Sequence, residues 1–198
     1  LKDQLGGYAA LYITPASCLD FWGSFRSADP VNDSYRAAEL GLYQNVVAAG
    51  VNFRPWRNVQ LSYQASNGDY SDGNTRRFSL ATVSYYAPVK WSPVVRVDYQ
   101  YLDFAHHTPD YSSPDNYTLL RPVLEVTPQL TTWLSLEFHA EADYVFDEQS
   151  WGYGLTVGPR VRIADTFNAG FSYMHYEIPG GQTNWSGDGF KVDMNVRF

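Results

Sequence analysis

Four side chains at strict two-residue spacing, Glu137, His139, Glu141 and Asp143, offer the densest chemistry in the sequence. Ser135 starts the same row. In an extended strand, residues two apart share a face, so these groups present one polar wall. The intervening residues Leu134, Leu136, Phe138, Ala140, Ala142, Tyr144 and Phe146 form the longest apolar stripe in the chain. A tight hairpin after Phe146 predicts Glu137 opposite Arg160, and a tight turn at Thr127 to Thr131 predicts Glu137 near Arg121. Such a row can pair its charges to hold strands together, or it can line a wet passage through weak contacts at many sites. No Ser-His-Asp set stands at informative spacing, and no catalytic residue is expected. His106 and His107 lie near Asp110, but adjacent histidines on an extended chain do not readily chelate one ion. Neither a metal nor another cofactor is expected. The glycine-rich stretches carry no phosphate-loop pattern.

The elements that position this row repeat its alternation. In Phe190 to Phe198, Phe190, Val192, Met194, Val196 and Phe198 alternate with Lys191, Asp193, Asn195 and Arg197. Val47, Ala49, Val51 and Phe53 oppose Ala48, Gly50, Asn52 and Arg54. Val59, Leu61, Tyr63 and Ala65 oppose Gln60, Ser62, Gln64 and Ser66. Val95, Val97, Tyr99 and Tyr101 oppose Arg96, Asp98 and Gln100; Leu120, Pro122, Leu124 and Val126 oppose Arg121, Val123 and Glu125. Trp151, Tyr153, Leu155, Val157 and Val161 oppose small residues, Arg160 and Arg162; Ala169, Phe171 and Tyr173 share a further stripe. The alternation over Arg77 to Ala87 is muddier, as a bulge would make it. Pro122 predicts an edge or an irregularity in its strand.

Turns are predicted at Pro55 to Asn58, Pro88 to Ser92, Thr127 to Leu130 and Ala164 to Thr166. Mostly longer loops are predicted at Asn67 to Thr75, Ala105 to Asn116, Asp147 to Ser150 and Ile178 to Asp188. Nine strands are expected from Val46 onward, most of the length a tilted strand needs to cross a bilayer. Residues 1–43 are a leading segment of uncertain strands or a plug. Gly7 to Thr14 and Leu19 to Phe25 read as strands, Ser27 to Ser34 as a polar loop, and Tyr35 to Tyr43 as helix or strand. Residues 44–198 read as barrel strands.

Composition agrees. Aromatics are 17% of the chain, high enough to furnish two interfacial girdles. Trp56, Trp91, Trp133, Phe167 and Phe198 fall at one set of strand ends; Tyr101, Phe104, Tyr117, Tyr144, Trp151 and Tyr176 fall at the other. These rings read as girdle residues ahead of sugar-stacking ones. Mean hydropathy is −0.35, and no run reaches the roughly 18 apolar residues of a spanning helix. A barrel passes that test because every second residue faces lipid. A formal charge of −7 and the lack of a basic stripe argue against nucleic acid as a partner. Cys18, the one cysteine, allows no internal disulfide. The reading is all-β: an antiparallel transmembrane β-barrel of outer-membrane type, with nine to eleven strands visible and a place in a larger barrel. The alternative is a soluble sandwich or lipocalin-like barrel, whose apolar stripes would fill a core.

Two loops add a resemblance. Asp69 to Arg77 reads D-Y-S-D-G-N-T-R-R, and Tyr111 to Tyr117 reads Y-S-S-P-D-N-Y. With the terminal aromatic, they resemble the C-terminal barrels of tetratricopeptide-linked exopolysaccharide export porins, the exporters of poly-N-acetylglucosamine and cellulose. The residues carrying the likeness are Asp72, Gly73, Asn74, Ser113, Pro114 and Tyr117. It implies residence in the bacterial outer membrane, surrounded by its lipid, and a polysaccharide substrate. It also implies a periplasmic helical-repeat domain and inner-membrane synthase partners. The family's barrels hold more strands than are visible here, and no tetratricopeptide repeat is present. The sequence is therefore expected to be the C-terminal part of a longer protein, with Phe198 at the periplasmic face.

The lumen would be lined by Arg96, Asp98, Arg121, Glu125, Glu137, His139, Glu141, Asp143, Arg160, Arg162, Lys191 and Asp193, with Arg54, Arg77 and Arg197 also counted inward. The expected function is export of an exopolysaccharide through an outer-membrane pore. The alternatives are a structural barrel scaffolding a cell-surface assembly and, less favoured, a small barrel hydrolase.

Overall fold

The computed structural model describes residues 6–31, 34–164, 167–178 and 185–196. Eleven strands form one sheet in chain order. They are β1 (Gly7–Ala16), β2 (Leu19–Pro30), β3 (Tyr43–Trp56), β4 (Val59–Tyr70), β5 (Thr75–Tyr86), β6 (Val94–Phe104), β7 (Tyr117–Val126), β8 (Leu134–Val145), β9 (Ser150–Ala164), β10 (Phe167–Ile178) and β11 (Trp185–Val196). A short helix, α1 (Tyr35–Leu40), joins β2 to β3. Two compact units divide the chain: residues 1–82 with 99–118, and residues 83–98 with 119–198.

The leading segment supplies β1 and β2, paired antiparallel from Gly7↔Ser27 to Ala16↔Leu19. β2 continues through Pro30, beyond the expected Phe25, and pairs with β3. The helical reading of Tyr35 onward prevails because its ends are capped. Ser34 Oγ accepts the Ala37 amide at 2.9 Å, and Gly41 closes the helix at φ 65°.

Several turns are tighter than expected. Pro55 and Trp56 belong to β3, which crosses an irregularity between Phe53 and Trp56 and turns at Arg57 and Asn58. Asn67 to Tyr70 belong to β4, so the expected loop shrinks to Ser71 to Asn74. Pro122 does not mark an edge: β7 lies between β6 and β8. Its mark is a gap at Arg121 and Pro122 in a ladder that otherwise keeps its register, from Leu120↔Tyr144 to Val123↔Glu141. Proline has no N–H to give that ladder. In β5 the side chains of Arg76 and Phe78 share a face, with Arg76 over the Phe78 ring, so Arg77 points the other way, contrary to expectation. This face carries apolar Phe78 and Leu80 as well, which is why its alternation reads poorly. The expected turn residues Asp165 and Thr166, the center of the loop after Ile178, and the terminal Arg197 and Phe198 lie outside the described residues.

The apolar stripes are not a core. Among the described residues the buried hydrophobics are Val31, Ala37, Tyr70, Phe104, Tyr111, Leu119, Val123 and Val145. Leu11, Phe25, Val47, Val97, Phe171, Val192 and Met194 are exposed, Met194 by 70%. A soluble sandwich would bury this face; a barrel turns it to lipid. Trp56, Trp91 and Trp133 are exposed at one end of their strands. At the other end the expected belt is only partly right. Trp151 is exposed and packs on Tyr144, 4.7 Å between ring centers. Phe104 is instead buried, and Tyr117 and Tyr176 fall on the polar-face parity, two residues from Leu119 and from Met174 respectively.

A cation placed near the middle of an apolar stripe separates these cases. Val97→Lys is expected to cost about 2–4 kcal/mol in a bilayer, as for a lysine at lipid midplane. Gln100→Lys, on the other face of β6, should stay within about 0.5 kcal/mol. Urea unfolding in liposomes, followed by tryptophan fluorescence, reads both; equal costs would sink the assignment of the stripe to lipid.

Candidate functional site

Pairing of β7, β8 and β9 converts the sequence's polar row into a network. Glu125 stands opposite His139, Val123 opposite Glu141, and Glu141 opposite Gly154. Asp98 lies 3.1 Å from Arg96, which lies 3.4 Å from Glu125. His139 is 3.5 Å from Glu125 and 3.4 Å from Glu141. Arg121 is 3.6 Å from Glu141 and donates to both oxygens of Asp143, at 2.6 and 2.8 Å. Arg160 joins Glu137 at 2.7 Å to Asp193 at 3.4 Å. Ten of the twelve expected lining residues are thereby linked: seven in the Asp98-to-Asp143 run and three around Arg160. Arg162 and Lys191 sit on the same face by register, opposite Asn168 and Ser172.

The partners differ from those expected. Glu137 is opposite Gly158, and Arg160 is opposite Ser135; the ion pair is diagonal, two residues out of register. Arg121 is held by Asp143 and Glu141, away from Glu137. The reason is where the turn falls. The hairpin stays paired beyond β7 through the Gln129↔Ser135 bridge and the Leu130 N–H bond to Leu134 O, so it turns at Thr131 to Trp133, and this shift brings Arg121 level with Asp143. Gly154 makes room for the row: a Cβ there would stand 2.8 Å from Glu141 Oε1. Side chains in the network are half-buried, so each pair is screened in part, and connection among several charges matters more than any single bond.

In the other unit, the two loops carrying the family likeness meet. Asn74 is buried, and all its side-chain hydrogen-bonding capacity is used. Its Nδ2 donates to His106 O at 2.7 Å and to Tyr111 Oη at 2.9 Å. Its Oδ1 accepts from His106 N at 3.0 Å and Thr75 N at 2.9 Å. Tyr111 Oη donates to Asp72 Oδ2 at 2.9 Å, and Asp72 Oδ1 accepts from Asn74 N at 3.0 Å. Gly73 turns the hairpin at φ 88°, a conformation that favors glycine. Ser113 is buried and clips its own loop shut, accepting Thr108 N at 2.8 Å and donating to Thr108 O at 3.1 Å. The Tyr111 ring stacks on Tyr70 at 4.9 Å and meets Phe104 at 5.8 Å. Helix α1 completes the cluster: Ser34 Oγ donates to Asp110 O at 2.5 Å, and Arg36 Nε reaches Asp110 Oδ1 at 3.3 Å.

Asp72, Gly73, Asn74 and Ser113 therefore act as a lock between connections. Pro114 and Tyr117 follow Ser113 along the chain into β7. His106 serves through its backbone, and His107 Nδ1 lies 3.2 Å from Ser113 O. Sequence reasoning missed Tyr111 as the center of the lock, although it opens the quoted Y-S-S-P-D-N-Y segment. It also missed Ser34 and Arg36.

No family model matches the chain, and no curated protein sequence matches it. Among solved structures it is similar to a bacterial polysaccharide outer membrane secretin, at a TM-score of 0.76 and 16% identity, over 98% of this chain and 69% of that one. The fold is of the outer-membrane β-barrel type. The translocator domain of autotransporter NalP from Neisseria meningitidis matches at a TM-score of 0.44 and 12% identity, over 98% of this chain and 79% of that one.

Burial holds the Tyr111 hydroxyl far above its usual range; the hydrogen bond from Asn74 opposes this, and that to Asp72 adds to it. The folded state thus keeps a proton that an unfolded tyrosine releases near pH ~10. The lock's contribution is complete below that pH and falls as pH rises above it. Loop residues Ala105 to Asn116 are expected to become protease-sensitive at alkaline pH. Tyr111→Phe should make the loop sensitive already at pH 8, because Asn74 and Asp72 lose a buried partner, and should flatten the alkaline rise. A pH profile identical to that of the unaltered protein would refute the role of Tyr111.

Proposed function

We propose that this chain contributes the membrane-spanning wall of a pore that exports an exopolysaccharide across the bacterial outer membrane. The observation that carries this reading is the combination, on one set of strands, of an exposed apolar face and an opposite face of linked charges. Lipid takes the first, and hydrated polymer takes the second. Closure of the barrel, through β11 meeting β1 or through further strands, belongs to the proposal. So do a periplasmic repeat domain and an inner-membrane synthase that delivers the polymer. The polysaccharide in the name of the similar secretin supports the cargo class.

The charged wall suits passage. Its six linked carboxylates share Arg96, Arg121 and Arg160, so a moving chain meets many weak sites instead of one strong one. In planar bilayers the full-length protein should give stable single-channel conductance. Arg160→Gln leaves Glu137 and Asp193 without their shared cation. It should shift the reversal potential toward cation preference in a salt gradient. Absence of conductance would overturn the pore. Conductance with an unmoved reversal potential would remove this face from the lumen.

A further inference from the structure

On β1 to β5 the face opposite the apolar stripe bears large rings, and its Arg26 also pairs with Asp29 at 3.7 Å. Tyr8 and Tyr12 of β1, Trp22 of β2 and Phe78 of β5 line one groove of about 550 Å³, with Arg26 and Arg76. That lies within the roughly 300–1,000 Å³ of small-molecule sites. The register builds it: Tyr8 stands opposite Arg26, and Tyr12 opposite Trp22. Trp22 in turn stands opposite Gly50, and Gly50 opposite Gln64. The indole lies against β3 because Gly50 has no side chain; a Cβ there would fall 2.6 Å from the ring. Arg26 sits 5.7 Å from the center of the Tyr8 ring, and Arg76 the same distance from that of Phe78.

We propose that this groove is a glycan-binding site that holds an extended stretch of carboxylate-bearing polysaccharide. The substrate class rests on the pore reading above. Tyr8 and Tyr12 are 62% and 72% exposed, so they are not core. Nor are they a lipid girdle, because Leu11, Ile13, Phe21 and Phe25 occupy the other face of the same strands. Flat rings set on adjacent strands match the apolar C–H faces of successive pyranoses, and the Gln64 amide between them offers a donor and an acceptor to sugar hydroxyls. The charged side chains that line the groove are both guanidiniums, which bind carboxylates in a planar fork. Nucleic acid would also suit rings and arginines, but the pore reading above supplies a sugar polymer.

Calorimetry on the full-length protein in detergent tests this with three probes: an oligouronate, a neutral cello-oligosaccharide and a cationic chitosan oligomer. Saturable binding is expected, tightest for the uronate and weakest for the chitosan. Tyr12→Ala removes an exposed ring without disturbing packing and should weaken uronate binding roughly tenfold, about 1.4 kcal/mol. Trp22→Ala should do at least as much. Arg26→Gln with Arg76→Gln should erase the preference for the acidic probe. Absence of saturable binding, indifference to both ring variants, or equal affinity for uronate and chitosan would each overturn the proposal. Binding without conductance would sustain the groove and remove the pore; conductance without binding would do the reverse.

Discussion

Each strand from β2 to β10 hydrogen-bonds to a neighbor on both sides, and this pairing frees the side chains to sort by face. In lipid an unpaired N–H or C=O costs several kcal/mol, so a spanning segment must pair each one internally. Sequential pairing does this for β2 to β10, each of which lies between two neighbors. Once the backbone is satisfied, the pleat sends alternate residues to opposite sides. Val192 and Met194 can then be exposed while Lys191 and Asp193 face the other way. The small buried set, centered on Tyr70, Phe104 and Tyr111, does not carry the fold; it ties connections together.

The faces were legible in the sequence and the partners were not, for a physical reason. Parity depends only on counting by two, so Glu137, His139, Glu141 and Asp143 fall on one wall whatever the turns do. Pairing depends on the turn before each strand. A turn at Thr131 to Trp133, later in the chain than the expected Thr127 to Thr131, is enough to exchange Glu137 for Asp143 as the partner of Arg121. The diagonal reach of Arg160 to Glu137 is a similar case, since a long guanidinium spans two residues of register that no alternation pattern encodes. Where a strand carries apolar residues on its polar face, as β5 does with Phe78 and Leu80, parity itself becomes hard to read.

The loops show the opposite limit. S-D-G-N is ordinary turn chemistry, and composition alone assigns Asn74 to a hairpin tip. Its role comes from partners distant in sequence: His106 and Tyr111 lie 32 and 37 residues away. Only the fold brings β4, β6 and the loop after β6 close enough to bury an amide with all of its bonds made. Residues 1–43 were obscure for a related reason, because β1 mixes exposed aromatics with apolar residues on both faces. Tyr8 and Tyr12 stand on one side, Leu11 and Ile13 on the other, and no polar stripe marks either.

That obscurity is itself informative. A strand that must only cross lipid needs one apolar face, and polar residues suffice on the other. β1 places the large rings of Tyr8 and Tyr12 on that other face, and exposed aromatic surface on a wet face costs solubility and stability unless something covers it at times. The charged wall of β6 to β11 links its carboxylates to Arg96, Arg121 and Arg160, which leaves a moving chain weak sites only. The two faces thus do different work in the proposed export path: paired charges keep a hydrated chain moving, and the groove of Tyr8, Tyr12, Trp22 and Phe78 engages its rings. In that proposal, selectivity for the sugar resides where sequence periodicity is weakest, because a binding groove breaks the alternation that membrane insertion demands.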